Sequence, residues 1–194
     1  MNPAGSSRRN FLRLASTVGL GLTAGKAMAA HDPFGPINPP QPAPALWLIK
    51  DDGVQTELLR QHLTGRTTAV QLMFTKCRAT CPIQGALFAA VARKIRDVDV
   101  QFLSLSIDPA IDKPAALRKW LDGFSPSVAW RAVAPRLQDV DRMFDFFQGR
   151  ADGADRHSAA VYVLNRKGQL AFRTAGLPAV GHVVDVQNAV AKRG

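Results

Sequence analysis

The chain reads Phe74-Thr75-Lys76-Cys77-Arg78-Ala79-Thr80-Cys81-Pro82 where an apolar, β-branched run ends and a helical pattern begins. This stretch holds both cysteines of the 194-residue sequence. A strand's C-terminal end meets a helix N-terminus there, and the helix dipole with its free backbone N–H groups favours thiolates at such a junction. Lys76 and Arg78 add positive charge beside the sulfurs. The segment therefore predicts a chemically active thiol pair.

Hydrophobic patterning on both sides of this segment alternates between strands and helices. We expect strands at 46–49, 67–74, 100–107, 128–133, 159–164 and 170–174, and helices at 82–97, 114–124, 137–147 and 179–192. This order, with a hairpin turn at 165–169, is typical of an α/β thioredoxin-like fold, a central mixed sheet flanked by helices. The cysteines fall at the expected first strand-to-helix junction of that fold.

The first 29 residues have the layout of a bacterial export signal. Ser7-Arg8-Arg9-Asn10-Phe11-Leu12 precedes a weakly apolar stretch from Leu14 to Gly25, and Ala27-Met28-Ala29 forms a small-x-small cleavage signal. The adjacent arginines predict twin-arginine export to the periplasm. The apolar stretch is shorter than the roughly 20 residues that cross a bilayer. We therefore expect no membrane span in the mature chain, with a retained signal anchor as the alternative.

Residues 30–45 are rich in proline and predict an extended tether, which leaves 46–194 as one thioredoxin-like domain. The formal net charge of +10 falls to +6 without the export signal, because residues 1–29 carry four basic residues and no acidic one. No run of five basic residues and no aromatic interleaving accompanies this charge. The composition therefore argues against nucleic acid as a partner.

Three residues separate the cysteines, whereas thioredoxin-type redox sites have two. Because Pro82 disfavours helical backbone at the residue before it, we expect a loop from Cys77 to Cys81, with Cys81 capping the helix. Such a loop can bring two sulfurs to one metal ion or into one disulfide. A purely structural disulfide is the alternative, although closing so short a loop stabilises by only about 2 kcal/mol.

A metal site needs a further ligand, and the sequence offers four histidines. His31 lies in the predicted tether, His62 on a polar helical stretch and His182 near the start of the last helix, all positions typical of ordinary histidines. His157 stands at the mouth of the strand that opens the hairpin, which in a thioredoxin-like sheet lies beside the cysteine loop. From the residues alone, a histidine in an ordinary turn is the alternative for His157.

Three motifs, spanning roughly Leu46 to the C-terminus, resemble those of the Sco/SenC family. They are Phe74-Thr75-Lys76-Cys77-x-x-x-Cys81-Pro82, Ser106-Ile107-Asp108-Pro109-x-x-Asp112-x-Pro114 and His157-Ser158-x-x-x-Tyr162. The resemblance implies a thioredoxin-like fold that carries copper for maturation of the binuclear CuA site of cytochrome c oxidase. It also implies that Cys77, Cys81 and His157 bind the copper ion, with Asp108 close by but not coordinating.

Two thiolates and one imidazole form a soft ligand set that suits copper as Cu(I) or Cu(II). Structural zinc prefers four protein ligands. The cysteines must be reduced to bind a metal, so in an oxidising periplasm the site depends on a thiol reductant. We therefore expect a copper chaperone whose partners are a periplasmic thiol reductant and an apo-cuproprotein acceptor such as an oxidase CuA domain.

A thiol–disulfide oxidoreductase acting on periplasmic cysteine pairs is the alternative function. Cys77 and Cys81 would then be a redox-active pair whose nucleophilicity is raised by Lys76, Arg78 and the helix N-terminus. The extra spacer residue and the missing thioredoxin proline at the strand mouth count against it, and His157 has no evident role in simple exchange. A redox or copper sensor built from the same residues is a third interpretation.

Overall fold

One eight-stranded sheet organises the part of the chain that the computed structural model describes, residues 34–57, 62–95, 99–127, 129–153 and 156–193. Its strands are β1 (Gly35–Pro42), β2 (Trp47–Lys50), β3 (Gln55–Glu57), β4 (Thr67–Met73), β5 (Val100–Ser106), β6 (Trp130–Pro135), β7 (Val161–Leu164) and β8 (Gln169–Arg173). The spatial order is β1-β8-β7-β4-β5-β6-β2-β3. Strands β4, β5 and β6 run parallel, and the other neighbours pair antiparallel.

Four α-helices accompany the sheet in the described ranges. They are α1 (Thr80–Lys94), α2 (Pro114–Asp122), α3 (Val140–Phe147) and α4 (Val180–Arg193), with a short 3-10 turn (Leu137–Asp139) before α3. This order confirms the predicted α/β thioredoxin-like fold. None of these described helices combines the length and the apolar character needed to cross a bilayer. The predicted export signal in residues 1–29 lies outside the described residues, as does His31.

Strand β4 lies at the centre of the sheet and is buried along its whole length. Because side chains alternate along a strand, Ala69 and Met73 join the core packed under α1, α2 and α4, whereas Val70 and Leu72 join the core packed under α3. A strand covered on both faces carries β-branched or apolar residues at most positions. In Thr67–Met73 only Gln71 departs from this pattern, which is the one that predicted the strand. The strand therefore gives the cysteine segment a rigid starting point.

The proline-rich segment is part of the sheet over Gly35–Pro42, so the prediction that residues 30–45 form a tether outside the domain is wrong there. Strand β1 pairs antiparallel with β8, and Pro36 lies opposite Phe172. It is an edge strand, where a proline's missing N–H can face solvent without breaking a ladder. Ala43, directly after the strand, is buried and donates its N–H to the Gly168 carbonyl at 3.1 Å.

Helix α1 begins at Thr80, so Cys81 lies in its first turn. The prediction that Cys81 caps the helix is therefore wrong. The preference of a residue before proline for extended backbone is a tendency, and Pro82 is tolerated here because N–H groups of a first turn lack intrahelical acceptors. Ile83, Leu87 and Val91 recur every four residues along α1. Ile83 is 56% exposed, whereas the other two are buried. Strand β3 was not predicted, since three residues carry too little pattern.

His62 makes the stability of the fold depend on pH. Burial, followed by the positive charges of Lys50 and Arg131, lowers the pKa of His62 from 6.5 to about 4. Between these values the unfolded chain binds more protons than the folded one, so the free energy of unfolding decreases as pH falls from about 6.5 towards about 4. Above pH 6.5 the neutral ring is present in both states, and this contribution stays constant.

We expect His62→Gln to remove this part of the pH dependence. Urea unfolding at pH 7 and pH 4.5 should show a larger loss of stability for the unmodified protein than for the variant. The difference should be on the order of 1 kcal/mol, because partial exposure screens the effect. Equal losses in the two proteins would contradict the assignment to His62.

Candidate metal centre

The imidazole ring of His157 lies against the sulfur of Cys81, although the two residues are 76 positions apart. The distance between Cys81 Sγ and His157 Nε2 is 3.4 Å. Both side chains are buried, with 0% and 3% of their surface exposed. The first turn of α1 positions the cysteine. The loop before β7, which bridges back to Arg150, positions the histidine at the strand mouth, beside the cysteine segment.

Cys77 joins this pair through the backbone of Cys81. The N–H of Cys81 donates to Cys77 Sγ, with 3.4 Å between nitrogen and sulfur. Ala79, the residue before α1, supplies no side-chain cap, so this sulfur takes the part that a capping oxygen usually has. No disulfide joins the two cysteines, and Cys77 is the more exposed at 8%. A hydrogen bond from a helix N-terminus stabilises negative charge on the sulfur.

The contact made by Nδ1 of His157 determines which nitrogen of the neutral ring carries the proton. His157 Nδ1 lies 3.0 Å from the carbonyl oxygen of Ser158. Because a carbonyl can only accept, this contact places a proton on Nδ1, and in the neutral ring Nε2 then keeps its lone pair. That lone pair faces the Cys81 sulfur. Metal-binding histidines commonly donate their other N–H to a carbonyl in this way.

These donor atoms fit a soft metal ion after one side chain moves. A sulfur–nitrogen distance of 3.4 Å suits two ligands of one ion, given metal bonds of about 2.3 Å to sulfur and about 2.0 Å to nitrogen. As they stand, the described residues contain no group of three His, Cys, Asp or Glu side chains arranged to hold a metal ion. Coordination by Cys77 as well as Cys81 and His157 therefore requires the Cys77 side chain to move towards the other two donor atoms.

Asp108 approaches the site through Arg156. Asp108 Oδ2 lies 3.3 Å from Arg156 Nη2, and the Arg156 guanidinium stacks over the Phe74 ring at 5.1 Å. Phe74 in turn meets the His157 ring edge-on, with 6.0 Å between centroids. Arg156 has a φ of 57°, a left-handed conformation that few non-glycine residues adopt. The carboxylate and the aromatic ring therefore hold the residue that directly precedes His157.

Asp112 is a buried carboxylate that the sequence analysis did not single out. It accepts hydrogen bonds from the Thr75 hydroxyl at 2.5 Å, the Thr75 N–H at 3.1 Å and the Ser106 hydroxyl at 2.6 Å. It thereby joins the C-terminal ends of β4 and β5 and fixes the segment that leads to Cys77. The sequence could have indicated Asp112 through its place in the second motif, six residues after Ser106.

Tyr162, from the third motif, and His182 make packing contacts within the fold. Tyr162 faces the α3 side and packs on Phe147 at 4.8 Å, and burial raises the pKa of Tyr162 to about 12. Its neutral ring anchors β7, at whose mouth His157 stands. His182 on α4 lies against Phe172 of β8, with 5.9 Å between ring centroids. His62 and His182 are thus ordinary partly buried or packing histidines.

We expect Asp108→Asn to weaken copper binding about threefold to fivefold while changing the free energy of unfolding by less than about 1 kcal/mol. The substitution removes a half-exposed ion pair, which contributes little to stability, but it releases Arg156 next to His157. A competition titration with a chelator of known copper affinity measures the first effect, and urea unfolding measures the second. Arg156→Gln should weaken copper binding to the same extent, because it breaks the same ion pair. A copper titration of Asp108→Asn identical to that of the unmodified protein would argue against a role of Asp108 in holding Arg156 next to His157.

Comparison with known proteins identifies the class to which this fold and this arrangement belong. A family model described as SCO1/SenC matches residues 47–185. The chain belongs to the SCO1/SenC family. Among curated relatives, the SCO1 protein homolog of Bacillus subtilis is 32% identical over 71 residues, which cover 36% of each protein. The matched stretches span between 36% and 57% of the length of the curated relatives.

Solved structures of the same family share the fold. Yeast Sco1, solved with copper bound, superposes with a TM-score of 0.67 at 18% identity, covering 80% of this chain and 91% of that one. BsSco, described as a member of the Sco family of cytochrome c oxidase assembly proteins with a disulfide switch, superposes with a TM-score of 0.69. It is 19% identical and covers 82% of this chain and 97% of that one. At these identities the likeness concerns the fold.

Proposed function

We propose that this protein is a periplasmic copper chaperone that delivers copper, or reducing equivalents, to a cuproprotein, most directly the CuA site of cytochrome c oxidase. The observation that carries the proposal is the 3.4 Å contact between Cys81 Sγ and His157 Nε2, made beside the second thiol of the chain. Family relatives solved with copper bound, and a relative described as an oxidase assembly protein, support it. The periplasmic location rests on the export signal predicted in residues 1–29.

Copper is the cargo in this proposal, held by Cys77, Cys81 and His157. Binding releases the thiol protons of the two cysteines. Cys77 is the more exposed sulfur and Cys81 is fully buried, so an acceptor ligand approaches from the Cys77 side.

Oxidation and copper loading exclude each other at this pair of sulfurs. Joining Cys77 to Cys81 in a disulfide passes two electrons to an oxidant, releases two protons and leaves no thiolate for the metal. The oxidising periplasm therefore requires a thiol reductant as a partner. No disulfide joins the two cysteines in the structure, as copper binding by both sulfurs requires.

A thiol–disulfide oxidoreductase is the second candidate, favoured by the hydrogen bond that Cys77 Sγ accepts from the Cys81 N–H. This bond stabilises a thiolate and so prepares a nucleophile. The relative described with a disulfide switch supports reversible oxidation at such a pair. His157, however, makes no contribution to simple exchange, whereas it supplies a nitrogen ligand for copper.

One pair of measurements on the mature, reduced protein separates the two candidates. We expect stoichiometric copper to remain bound after gel filtration, with a sulfur-to-copper charge-transfer absorption in the Cu(II) form. We expect insulin to be reduced no faster than by the thiol buffer alone. Rapid insulin reduction by a protein that retains no copper would favour the oxidoreductase.

A further inference from the structure

A groove of about 580 Å³ opens beside Cys77, the more exposed of the two sulfurs. Two parts of the chain line it, the cysteine segment after β4 and the region around α2. Its lining includes three cationic side chains and an apolar pair, namely Lys76, Arg78, Lys119, Ile111 and Trp120. The groove therefore places positive charge and apolar surface next to a proposed copper ligand.

The cations of the groove have no acidic partner among the described residues. Lys76, Arg78 and Lys119 are exposed, and none of them takes part in the ion pairs found within the described ranges. Arg118, the chain neighbour of Lys119, differs because it pairs with Asp51 at 3.2 Å. The groove lining contains no acidic side chain. Its positive field is thus left for a partner to neutralise.

The apolar part of the groove can accommodate one apolar side chain of a partner. Ile111 is 50% exposed although it is a large β-branched residue. Trp120 is half-buried and held in place by Phe124 at 4.8 Å and Trp130 at 6.3 Å between centroids. A fixed aromatic ring beside an exposed aliphatic side chain, within a charged rim, is the composition typical of a protein docking site.

We propose that this groove docks an acidic segment of the copper acceptor. Carboxylates of that segment face Lys76, Arg78 and Lys119, and one apolar side chain packs on Ile111 and Trp120, which brings the acceptor to Cys77. The inference rests on the proposed function because it takes the partner to be a copper acceptor. Opposite charges would also steer the encounter, so association would be fast at low salt and slower at high salt.

The test uses the purified soluble apo CuA domain of a cytochrome c oxidase as the probe. We expect Lys119→Glu to raise the dissociation constant for this domain about tenfold at low salt and to reduce its salt dependence, because two units of charge change at the rim. Ile111→Ser should weaken binding severalfold while leaving the salt dependence intact. Isothermal titration calorimetry measures the binding, and stopped-flow spectroscopy measures the rate of copper transfer.

Lys167→Glu is the matched control because it makes the same change of charge far from the groove. Leu164 of β7 pairs with Thr68 at the start of β4, so the turn that follows β7 lies at the opposite end of β4 from the cysteines. Lys167 in that turn is exposed. We expect this variant to bind the CuA domain and transfer copper like the unmodified protein.

The outcomes for the groove and for the chaperone are distinguishable. Copper removal by neocuproine, a small neutral chelator, should be unchanged in Lys119→Glu, since the copper ligands are intact. Binding of the CuA domain that is absent, or equal in Lys119→Glu and Lys167→Glu, would overturn the docking groove even if copper is bound and transferred. Binding weakened by Lys119→Glu and not by Lys167→Glu would support the groove. If the unmodified protein then bound the CuA domain but transferred no copper to it, the chaperone role would be overturned.

Discussion

Cys81→Ser is expected to abolish tight copper binding. A serine hydroxyl is a hard oxygen donor that stays protonated near neutral pH, so one sulfur and one imidazole would be left for a soft ion. Loss of residues that merely orient ligands costs 10–100-fold in metal affinity, and loss of a ligand should cost at least about 100-fold. Cys77→Ser should have the same effect on copper.

A competition titration of Cu(I) against a chelator of known affinity measures this loss. The fold should survive, because serine is nearly isosteric with cysteine and its hydroxyl can meet His157 Nε2 at the position where sulfur now lies 3.4 Å away. Thermal unfolding is the control that separates lost coordination from lost structure. An unchanged copper stoichiometry in either serine variant would refute the proposed ligand set.

His157→Ala should separate the two oxidation states of copper. The two thiolates that remain satisfy Cu(I), whereas Cu(II) depends more strongly on the imidazole nitrogen. We expect Cu(II) affinity to fall about 100-fold and Cu(I) affinity to fall less than about tenfold. An anaerobic competition titration against a Cu(I) chelator measures the Cu(I) affinity. An aerobic titration followed by the charge-transfer absorption measures the Cu(II) affinity.

His182→Ala is the matched control for this change. His182 packs on Phe172, so its loss should leave both copper affinities unchanged. Removing the buried His157 ring leaves a cavity that costs about 2 kcal/mol of stability, and His157→Gln fills more of that space without restoring the imidazole. Equal losses of Cu(I) and Cu(II) binding in both His157 variants would contradict the predicted division of roles.

The central part of the fold was predictable because its pattern is local. Every residue of Thr67–Met73 is buried, and all but Gln71 are β-branched or apolar, so the strand is recognisable in the sequence. The helical stripe that follows depends on a period of 3.6 residues, which neighbouring residues alone establish. The junction that carries Cys77 and Cys81 was therefore placed correctly, to within two residues at the helix start.

The edge of the sheet was not predictable in the same way. Gly35–Pro42 pairs with a strand more than a hundred positions later in the chain, and proline-rich sequence is compatible both with a free extended segment and with an edge strand. Only the partner strand β8 decides between them. The groove beside Cys77 was equally unpredictable from local sequence. It forms because α2 and the residues just before it bring Lys119 and Ile111 to a segment about forty positions earlier.

By itself, the amino-acid order determined the fold class and the thiol pair, since periodicity and cysteine spacing are properties of short stretches. The resemblance to the Sco/SenC family was needed to choose His157 over an ordinary turn histidine. Tertiary structure alone decided that His157 Nε2 lies 3.4 Å from Cys81 Sγ, that Cys77 caps α1, and that Asp108 holds Arg156 across 48 positions. These distances depend on the pairing of β4 with β5 and β7. Such pairing is fixed by the packing of both cores and not by any single segment.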